Sequence, residues 1–301
     1  MCELFGLSSN RSVQPKELLC RFGARGGDTA DNPDGWGLAT LESGAFRLTK
    51  EPIAAARSAR FRELCVQTRS SLILGHVRKA NPPTALALAN THPFRRVCCG
   101  REWVFAHNGI IPGTTALDGP GAAPICTPWG DTDSEHAFCV VLDRIARVFA
   151  TTGAATDRGW FDALAGVAET LASHGRFNFL MSDGEHLIAY GHDRLYSLAD
   201  ARAAFQLEAA ANATAPSLAR GPRLGPISET AVIATEPLTK DPGWLAFEPG
   251  ELRVYRAGRQ IAHFITHPRA MVPVPDGDLP RTKTIVPETG RPAPLRDGVS
   301  P

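Results

Sequence analysis

The sequence predicts an α+β fold in which antiparallel sheets are layered with helices. Two observations support this class. Short apolar or alternating runs typical of strands recur along the chain, and the clearest helical segments come as a neighbouring pair between clusters of such runs. A doubly wound parallel fold would instead alternate strands and helices one by one.

The strand candidates are short runs of apolar residues. The chain begins with one at 2–10, and the candidates 177–182 and 186–191 are joined through Ser-Asp-Gly-Glu, which predicts a hairpin turn. The other candidates are 71–77, 103–107, 230–235, 251–256 and 260–266.

The helices are predicted from apolar residues at helical spacing. In 133–150 one face collects Phe138, Val141, Leu142, Ile145 and Phe149, and Asp133 or Ser134 is expected to cap the start. In 160–175 the buried face holds Phe161, Leu164, Val167 and Leu171, with Gly175 expected at the C′ position. A weaker helical pattern covers 54–67.

The pattern predicts one globular domain over 1–266 that carries an insertion and a tail. Between 201 and 228 the chain is rich in Ala, Pro, Arg and Gly, which indicates a surface insertion or mobile loop. Prolines recur after Pro268, so 267–301 is expected to be a Pro-rich tail that is disordered or extended.

The bulk composition limits the possible partners. The net charge is +1 over 301 residues, which gives no electrostatic basis for binding nucleic acid or an anionic membrane. No apolar run approaches the length of a transmembrane helix, and the N-terminus lacks the pattern of a signal peptide. We therefore expect a cytoplasmic protein with neither a nucleic-acid nor a membrane partner.

The seven cysteines are scattered and include no Cys-x-x-Cys pair. An odd number without a regular framework predicts reduced thiols. A metal site built from His76, His92, His107 and cysteines would need closer ligand spacing than the sequence offers. We expect no metal and no other cofactor.

The cysteine at position 2 has an unusual location. Its small side chain allows methionine aminopeptidase to remove Met1, which would leave Cys2 with a thiol and a free α-amine on one residue. A thiol titrates near ~8.5 and an α-amine near ~7.7–8.0. The amine is therefore substantially neutral at cellular pH and can take the thiol proton, so no histidine is needed as a base.

Four further stretches contain residues with possible chemical roles. They are "RGGDTADNPDGWG" (25–37), "GHVRKA" (75–80), "FAHNGII" (105–111) and "GDTDSE" (130–135). Each also has a purely structural interpretation. The first would be a turn with a packed tryptophan, the second an arginine in a surface ion pair, the third a turn dipeptide and the fourth a helix cap.

Taken in order with Cys2, these stretches resemble the class II glutamine amidotransferases of the N-terminal nucleophile (Ntn) hydrolase superfamily. The resemblance is strongest to stand-alone bacterial YafJ-type members, which also share "NTHPF" (90–94), "FN.L.SDG" (177–184) and "VIAT.PLT" (232–239). It extends from Cys2 to about Phe264. It implies a four-layer αββα sandwich of two antiparallel sheets between helix layers.

The resemblance also implies roles for individual residues. Cys2 would attack the γ-amide carbonyl of glutamine or a γ-glutamyl compound, form a thioester and release ammonia or an amine. The side-chain amide of Asn108 and the backbone N–H of Gly109 would hold the oxyanion. Arg78 would bind the α-carboxylate of the small-molecule substrate, and Asp133 its α-ammonium group.

Other substrate-binding roles follow from the same resemblance. Arg25 and the loop to Trp36 resemble the segment that closes over the site, and Thr91 and His92 would line the pocket. In the large biosynthetic synthases the arginine is followed at once by Trp-Ala-Thr-His. Here an insertion rich in Pro and Ala separates Arg78 from Thr91 and His92.

Two alternatives to a glutamine amidotransferase stay open from the sequence. One is a γ-glutamyl amide hydrolase acting on a small-molecule conjugate, as in ergothioneine biosynthesis, which needs no ammonia acceptor. The other, of a different class, is a catalytically silent module that binds γ-glutamyl groups. An amidotransferase would need a separate ammonia-accepting synthetase, because the predicted globule has no fused synthase domain.

Overall fold

The computed structural model describes residues 1–81, 84–117, 125–152, 157–199 and 229–269. Residues from Met1 to Ala270 form one compact unit. The predicted insertion at 201–228 and nearly all of the predicted tail lie outside the described residues, so the expectations for them stay predictions.

Thirteen strands and four α-helices make up most of the regular structure of the described residues. In chain order they are β1 (Glu3–Val13), α1 (Lys16–Ala24), β2 (Trp36–Glu42), β3 (Ala45–Glu51), α2 (Ala59–Gln67), β4 (Ser70–Val77), β5 (Phe94–Cys98), β6 (Arg101–Ile110), α3 (Asp133–Thr152), α4 (Asp157–Ala172), β7 (Arg176–Ser182), β8 (His186–Gly191), β9 (Tyr196–Ala199), β10 (Thr230–Ala234), β11 (Trp244–Ala246), β12 (Glu251–Arg256) and β13 (Arg259–Ile265).

The strands form two antiparallel sheets. The first has the order β11-β9-β10-β1-β4-β2-β3, and the second has the order β13-β12-β8-β7-β6-β5. Helices α1 and α2 bury Leu18, Phe22 and Phe61 on the outer face of the first sheet. Helices α3 and α4 cover the outer face of the second sheet. The predicted α+β class and the αββα layering are confirmed.

The two sheets pack face to face through small and branched apolar residues. Leu4 and Leu74 from the first sheet share a cluster with Val104, Leu180 and Leu187 from the second. Because side chains alternate along a strand, the neighbouring residues point into the outer cores. Burying each large apolar side chain contributes roughly 1.5–3 kcal/mol.

The sheet registers bring the candidate residues to one edge of the sandwich. In the first sheet Glu3 lies opposite Val77, which places Cys2 beside the residues that follow β4. In the second sheet Asn108 lies opposite Asn178 near the end of β6. The starts and ends of central strands from both sheets therefore meet around Cys2.

Two predicted helix ends differ from the structure. Thr132, not Asp133 or Ser134, caps α3, because its Oγ1 accepts the Glu135 N–H at 3.1 Å. Gly175 does not have the positive φ of a C′ glycine. A Cβ there would lie 2.1 Å from the Ile110 carbonyl oxygen, so a close approach of two backbones is what favours glycine at this position.

The prediction that all the cysteines are reduced is wrong for one pair. Cys126 and Cys139 form a disulfide, with their Cα atoms 5.3 Å apart. The backbone N–H groups of Trp129 and Gly130 both donate to the Glu135 carboxylate, at 3.0 and 2.7 Å. These bonds fold the segment before α3 back along the helix, which brings the two cysteines together despite a separation of 13 residues.

Candidate active site

Cys2 lies immediately before β1, and its thiol is held by the backbone that follows β4. The Lys79 N–H donates to Cys2 Sγ at 3.2 Å, and the thiol donates to the Lys79 carbonyl oxygen at 3.3 Å. These bonds fix the position of the sulfur without engaging a side-chain base.

Burial raises the pKa of the Cys2 thiol. The Lys79 N–H, the positive charge at the N-terminus and the Arg78 guanidinium act in the opposite direction, because each of them stabilises a thiolate. The thiol therefore needs a nearby proton acceptor to become a nucleophile at neutral pH.

Arg78 follows β4 and is almost completely buried. Two hydrogen bonds fix its backbone. The Arg78 N–H donates to the Gly35 carbonyl oxygen at 2.8 Å, and the Asp34 N–H donates to the Arg78 carbonyl oxygen at 2.9 Å. Its Nη1 donates to the Ala85 carbonyl at 3.3 Å. Within the described parts of the chain no carboxylate forms an ion pair with Arg78, so its charge can serve an anionic ligand.

Asn108 and Gly109 approach Cys2 from the second sheet. The Nδ2 of Asn108 donates to the Cys2 carbonyl oxygen. Gly109 has φ +147°, and a Cβ at this position would lie 1.8 Å from the Arg176 carbonyl oxygen, so no larger residue fits. The structure thus brings a thiol and two potential oxyanion donors to the same edge of the sandwich.

Asp133 stands at the start of α3 and is partly buried. One carboxylate oxygen accepts the Ile111 N–H at 2.7 Å, and the other accepts the Ser134 N–H at 2.8 Å. The Ile111 bond ties Asp133 to the chain just beyond Gly109. A carboxylate next to the oxyanion donors is a suitable partner for an ammonium group.

A buried chain of hydrogen bonds connects Asp133 to His107 through Ser134 and reaches the backbone of Arg176. His107 Nε2 lies 3.1 Å from the Arg176 carbonyl oxygen, which can only accept, so Nε2 carries a proton. The single proton of the Ser134 hydroxyl has two acceptors within reach, His107 Nδ1 at 2.8 Å and Asp133 Oδ1 at 3.2 Å. Burial lowers the pKa of His107, and the Asp133 carboxylate opposes that shift.

Thr91 and His92 are brought near the site but are packed inside the protein. Thr91 is fully buried and donates from Oγ1 to the Ala87 carbonyl at 2.8 Å. The His92 ring lies 4.2 Å from the His76 ring, centroid to centroid, and neither of its nitrogens has a hydrogen-bond partner among the described residues. Both side chains are packed inside the protein in this structure, and their role in substrate binding stays a prediction.

Arg25 and Trp36, for which substrate binding stays a prediction, have partners within the protein. The Arg25 guanidinium pairs with the buried carboxylate of Glu3, which needs a cation because burying an unpaired charge is costly. Trp36 is fully buried, donates from Nε1 to Glu51 at 3.1 Å and packs edge-on against Phe61. Both side chains are engaged in structural contacts.

A group of three potential metal ligands lies elsewhere. Asp183, Glu185 and His186 lie together in the turn between β7 and β8. Arg101 pairs with Asp183, and Arg256 pairs with Glu185, so arginines from the protein itself match both carboxylates.

None of the helices in the described residues combines the length and the apolar character needed to cross a bilayer.

The fold agrees with the comparisons with known proteins. The sequence model of the glutamine amidotransferases class-II family matches residues 1–275. The chain belongs to this family, whose members are enzymes with the Ntn fold.

Individual relatives extend the match over most of the chain. YafJ of Escherichia coli (strain K12) is 33% identical over 267 residues, which cover 87% of this chain and 100% of YafJ. The 2.0 Å crystal structure of a predicted glutamine amidotransferase from Pseudomonas aeruginosa PA01 is 28% identical. It covers 87% of this chain and 100% of that chain, with a TM-score of 0.60.

A more distant match concerns a hydrolase. The γ-glutamyl-hercynylcysteine sulfoxide hydrolase of Mycobacterium tuberculosis (strain H37Rv) is 25% identical over 158 residues, which cover 52% of this chain and 58% of that protein.

Three residues beside the predicted site residues were not themselves predicted from the sequence. Lys79 contacts the thiol only through its backbone, so its side chain gave no indication of this position. His107 and Ser134 lie within the "AHNG" and "TDSE" motifs, beside residues with predicted roles. Their bond at 2.8 Å joins β6 to α3 and depends on tertiary packing.

Proposed function

We propose that the enzyme uses Cys2, freed from Met1, to cleave the γ-amide of glutamine or of a γ-glutamyl compound. The observation that supports this most is that Cys2 is contacted from both sheets: the Lys79 N–H donates to its thiol, and the Asn108 amide donates to its carbonyl oxygen. A nucleophile and an oxyanion donor must flank one carbonyl carbon in acyl transfer, and these groups come from different sheets.

The proposed reaction begins with proton transfer from the Cys2 thiol to its own α-amine. The thiolate attacks the γ-carbonyl carbon, and the oxyanion receives hydrogen bonds from Asn108 Nδ2 and the Gly109 N–H. The amine then returns the proton to the leaving nitrogen. Water hydrolyses the thioester to release glutamate and restore the thiol.

The α-carbon end of the substrate is assigned to Arg78 and Asp133. Arg78 has no ion-pair partner in the described residues, and its fork of donors matches a carboxylate. Asp133 would accept from the α-ammonium group. This pair would select a free amino-acid head and reject glutamine side chains inside proteins.

The test of this function is ammonia release from glutamine by the wild-type enzyme and by Cys2→Ala. We expect turnover by the wild type and a loss of at least about 10³-fold in the variant, because alanine at position 2 cannot form the thioester. Cys20→Ala, which changes an exposed free cysteine, is the matched control and should keep full activity. Equal activity of Cys2→Ala and wild type would refute the proposal.

The second candidate function is hydrolysis of a γ-glutamyl conjugate without ammonia transfer. It is favoured by the partial match to the mycobacterial γ-glutamyl-hercynylcysteine sulfoxide hydrolase. Release of an amine from γ-glutamyl conjugates at a higher kcat/KM than release of ammonia from glutamine would identify this activity. Binding of glutamine without any turnover would instead indicate the silent binding module.

Use of the ammonia by a separate synthetase is also part of the proposal, as is a cytoplasmic location. Co-purification of a synthetase whose glutamine-dependent activity requires this chain would support transfer.

A cytoplasmic location predicts that Cys126 and Cys139, bonded in this structure, exchange with thiols in the cell. Trapping thiols with iodoacetamide at lysis measures that directly.

A further inference from the structure

We propose that Arg176 forms a leaving-group subsite, and that the enzyme prefers γ-glutamyl amides whose leaving amine carries a carboxylate, such as γ-glutamyl dipeptides. This inference rests on the proposed function, because it assigns the side of the scissile bond opposite to Arg78 and Asp133. It concerns an exposed arginine at the start of β7 that the proposed reaction does not otherwise use.

Met1 marks where the leaving group emerges. Met1 is bonded to the Cys2 nitrogen, which becomes the α-amine that protonates the leaving nitrogen. The leaving group must therefore come within hydrogen-bond reach of that nitrogen, in the space next to it that Met1 occupies. The guanidinium Nη1 of Arg176 contacts the Met1 sulfur, so Arg176 lines this space.

An ion pair and a short chain of hydrogen bonds hold the Arg176 guanidinium in place. Its Nε pairs with Asp193 Oδ2 at 2.6 Å, and Asp193 Oδ1 accepts from Asn178 Nδ2 at 2.7 Å. Asn178 Oδ1 in turn accepts the His192 N–H at 2.8 Å. The ion pair uses one edge of the guanidinium and orients the other donors toward Met1.

The Met1 sulfur is a weak hydrogen-bond partner for the N–H donors of Arg176. A thioether is a weak acceptor, whereas a carboxylate in the same place forms charge-assisted hydrogen bonds with arginine. The Arg176 side chain is 42% exposed, so a ligand can reach it from solvent. Removal of Met1 would therefore open a position that favours an anion.

The subsite is also fixed relative to the reacting atoms. Arg176 lies opposite Ile110 in the β6–β7 ladder, and its carbonyl oxygen contacts both His107 Nε2 and the Gly109 position.

For γ-glutamylglycine the C–N bond breaks, the thioester forms, and the amine proton goes to the glycine nitrogen. Water then gives glutamate, so one dipeptide and one water yield two amino acids.

The test compares two substrates that differ in one charge, γ-glutamylglycine and γ-glutamylglycinamide. We expect the wild type to have a kcat/KM at least about tenfold higher for the acid, the typical effect of a charge-assisted hydrogen bond. Arg176→Gln should bring this ratio close to one, and Arg176→Lys should keep part of it. Arg147→Gln is the matched control, because Arg147 also pairs with a carboxylate but lies on α3.

The outcomes separate this inference from the proposed function. A wild-type ratio near one, an unchanged ratio in Arg176→Gln, or turnover of glutamine but of neither conjugate overturns the subsite alone. Failure of the wild type to hydrolyse glutamine and both conjugates overturns the proposed function and the subsite with it. Thermal unfolding of each variant shows whether a lost ratio comes from lost structure.

Discussion

The two walls of the site differ in how far their polar groups are already satisfied. The first wall, Cys2 and Arg78 from the first sheet, holds a thiol that contacts only the backbone of Lys79 and an arginine without an ion pair in the described residues. The second wall, formed by β6 and the start of α3, has an Asp133 carboxylate that already accepts two backbone N–H groups.

Because of this difference, we assign reactivity to the first wall and positioning to the second. Groups with open hydrogen-bond capacity can exchange partners with a substrate, whereas groups in a closed network keep their geometry. We therefore expect changes in the first wall to affect chemistry with little loss of stability. Changes in the second wall should affect both.

The largest effect on stability is expected for Gly109→Ala in the second wall. The new Cβ would lie 1.8 Å from the Arg176 carbonyl oxygen, so the backbone of β6 or β7 must move. We expect the free energy of unfolding to fall by about 3–5 kcal/mol. Gly113→Ala is the control, since Gly113 has φ +69° but nothing within 4 Å of its Cβ position, and it should lose about 1–2 kcal/mol. Equal losses in urea titrations would contradict the close approach.

Asn108→Ala should give the next largest effect, on catalysis. Loss of one oxyanion donor lowers kcat by about 10²–10³-fold, or about 2.7–4 kcal/mol of barrier, while KM changes little. Steady-state kinetics on glutamine measures this, with Asn10→Ala on the exposed part of β1 as the control. An effect confined to KM would show that Asn108 binds substrate and does not stabilise the transition state.

Three buried histidines should make the fold sensitive to acid. Burial lowers the pKa of His76 to about 3 and lowers those of His92 and His107 as well. Below about pH 6.5 these histidines bind protons in the unfolded chain but stay neutral in the folded chain. The free energy of unfolding is therefore highest above pH 6.5 and falls as the pH decreases toward 3. Each histidine that stays neutral in the fold lowers the free energy of unfolding by up to about 1.4 kcal/mol per pH unit below pH 6.5.

His92→Phe sharpens this prediction. His92 has no hydrogen-bond partner among the described residues and packs against the ring of Phe94, so an apolar ring should be tolerated. Urea midpoints measured from pH 7 to pH 5 should fall less steeply in the variant than in the wild type. An unchanged slope would show that His92 is already protonated in the fold.

Ser134→Ala should give the smallest effect. It removes the hydroxyl that links His107 to Asp133, at a cost of about 1 kcal/mol in stability and about a threefold rise in KM, with kcat little changed. Ser134→Thr, which keeps the hydroxyl, should restore KM, and Thr151→Ala on the exposed end of α3 is the control. A fall in kcat with constant KM would place Ser134 in the chemistry instead.

Much of the fold could be predicted from local patterns. The helices around Phe138 and Leu164 have apolar residues at helical spacing, and the turn at Asp183 and Gly184 follows from residue preferences, so both are found where expected. Helix α1 was not predicted. It spans only nine residues with three large apolar ones, Leu18, Leu19 and Phe22, and such a short helix is stabilised by packing against the first sheet.

The candidate site was predicted only in part. Motif order predicted Cys2, Arg78, Asn108 and Gly109 as site residues, because the proposed chemistry requires particular residue types. The surroundings of Arg25 and Trp36 depend on which neighbours the fold supplies, Glu3 in one case and Phe61 in the other. The disulfide likewise depends on how the segment before α3 folds back. These features arise from tertiary contacts that sequence spacing does not encode.

The most direct test of the central claim is mass spectrometry of the enzyme before and after reaction with 6-diazo-5-oxo-norleucine, an electrophile that resembles glutamine. We expect the intact mass to lack Met1 and peptide mapping to find one adduct, on Cys2. Cys2→Ala should form no adduct. Retention of Met1 in fully active enzyme, or an adduct on another cysteine such as Cys20, would contradict the assignment of Cys2 as a nucleophile that carries its own base.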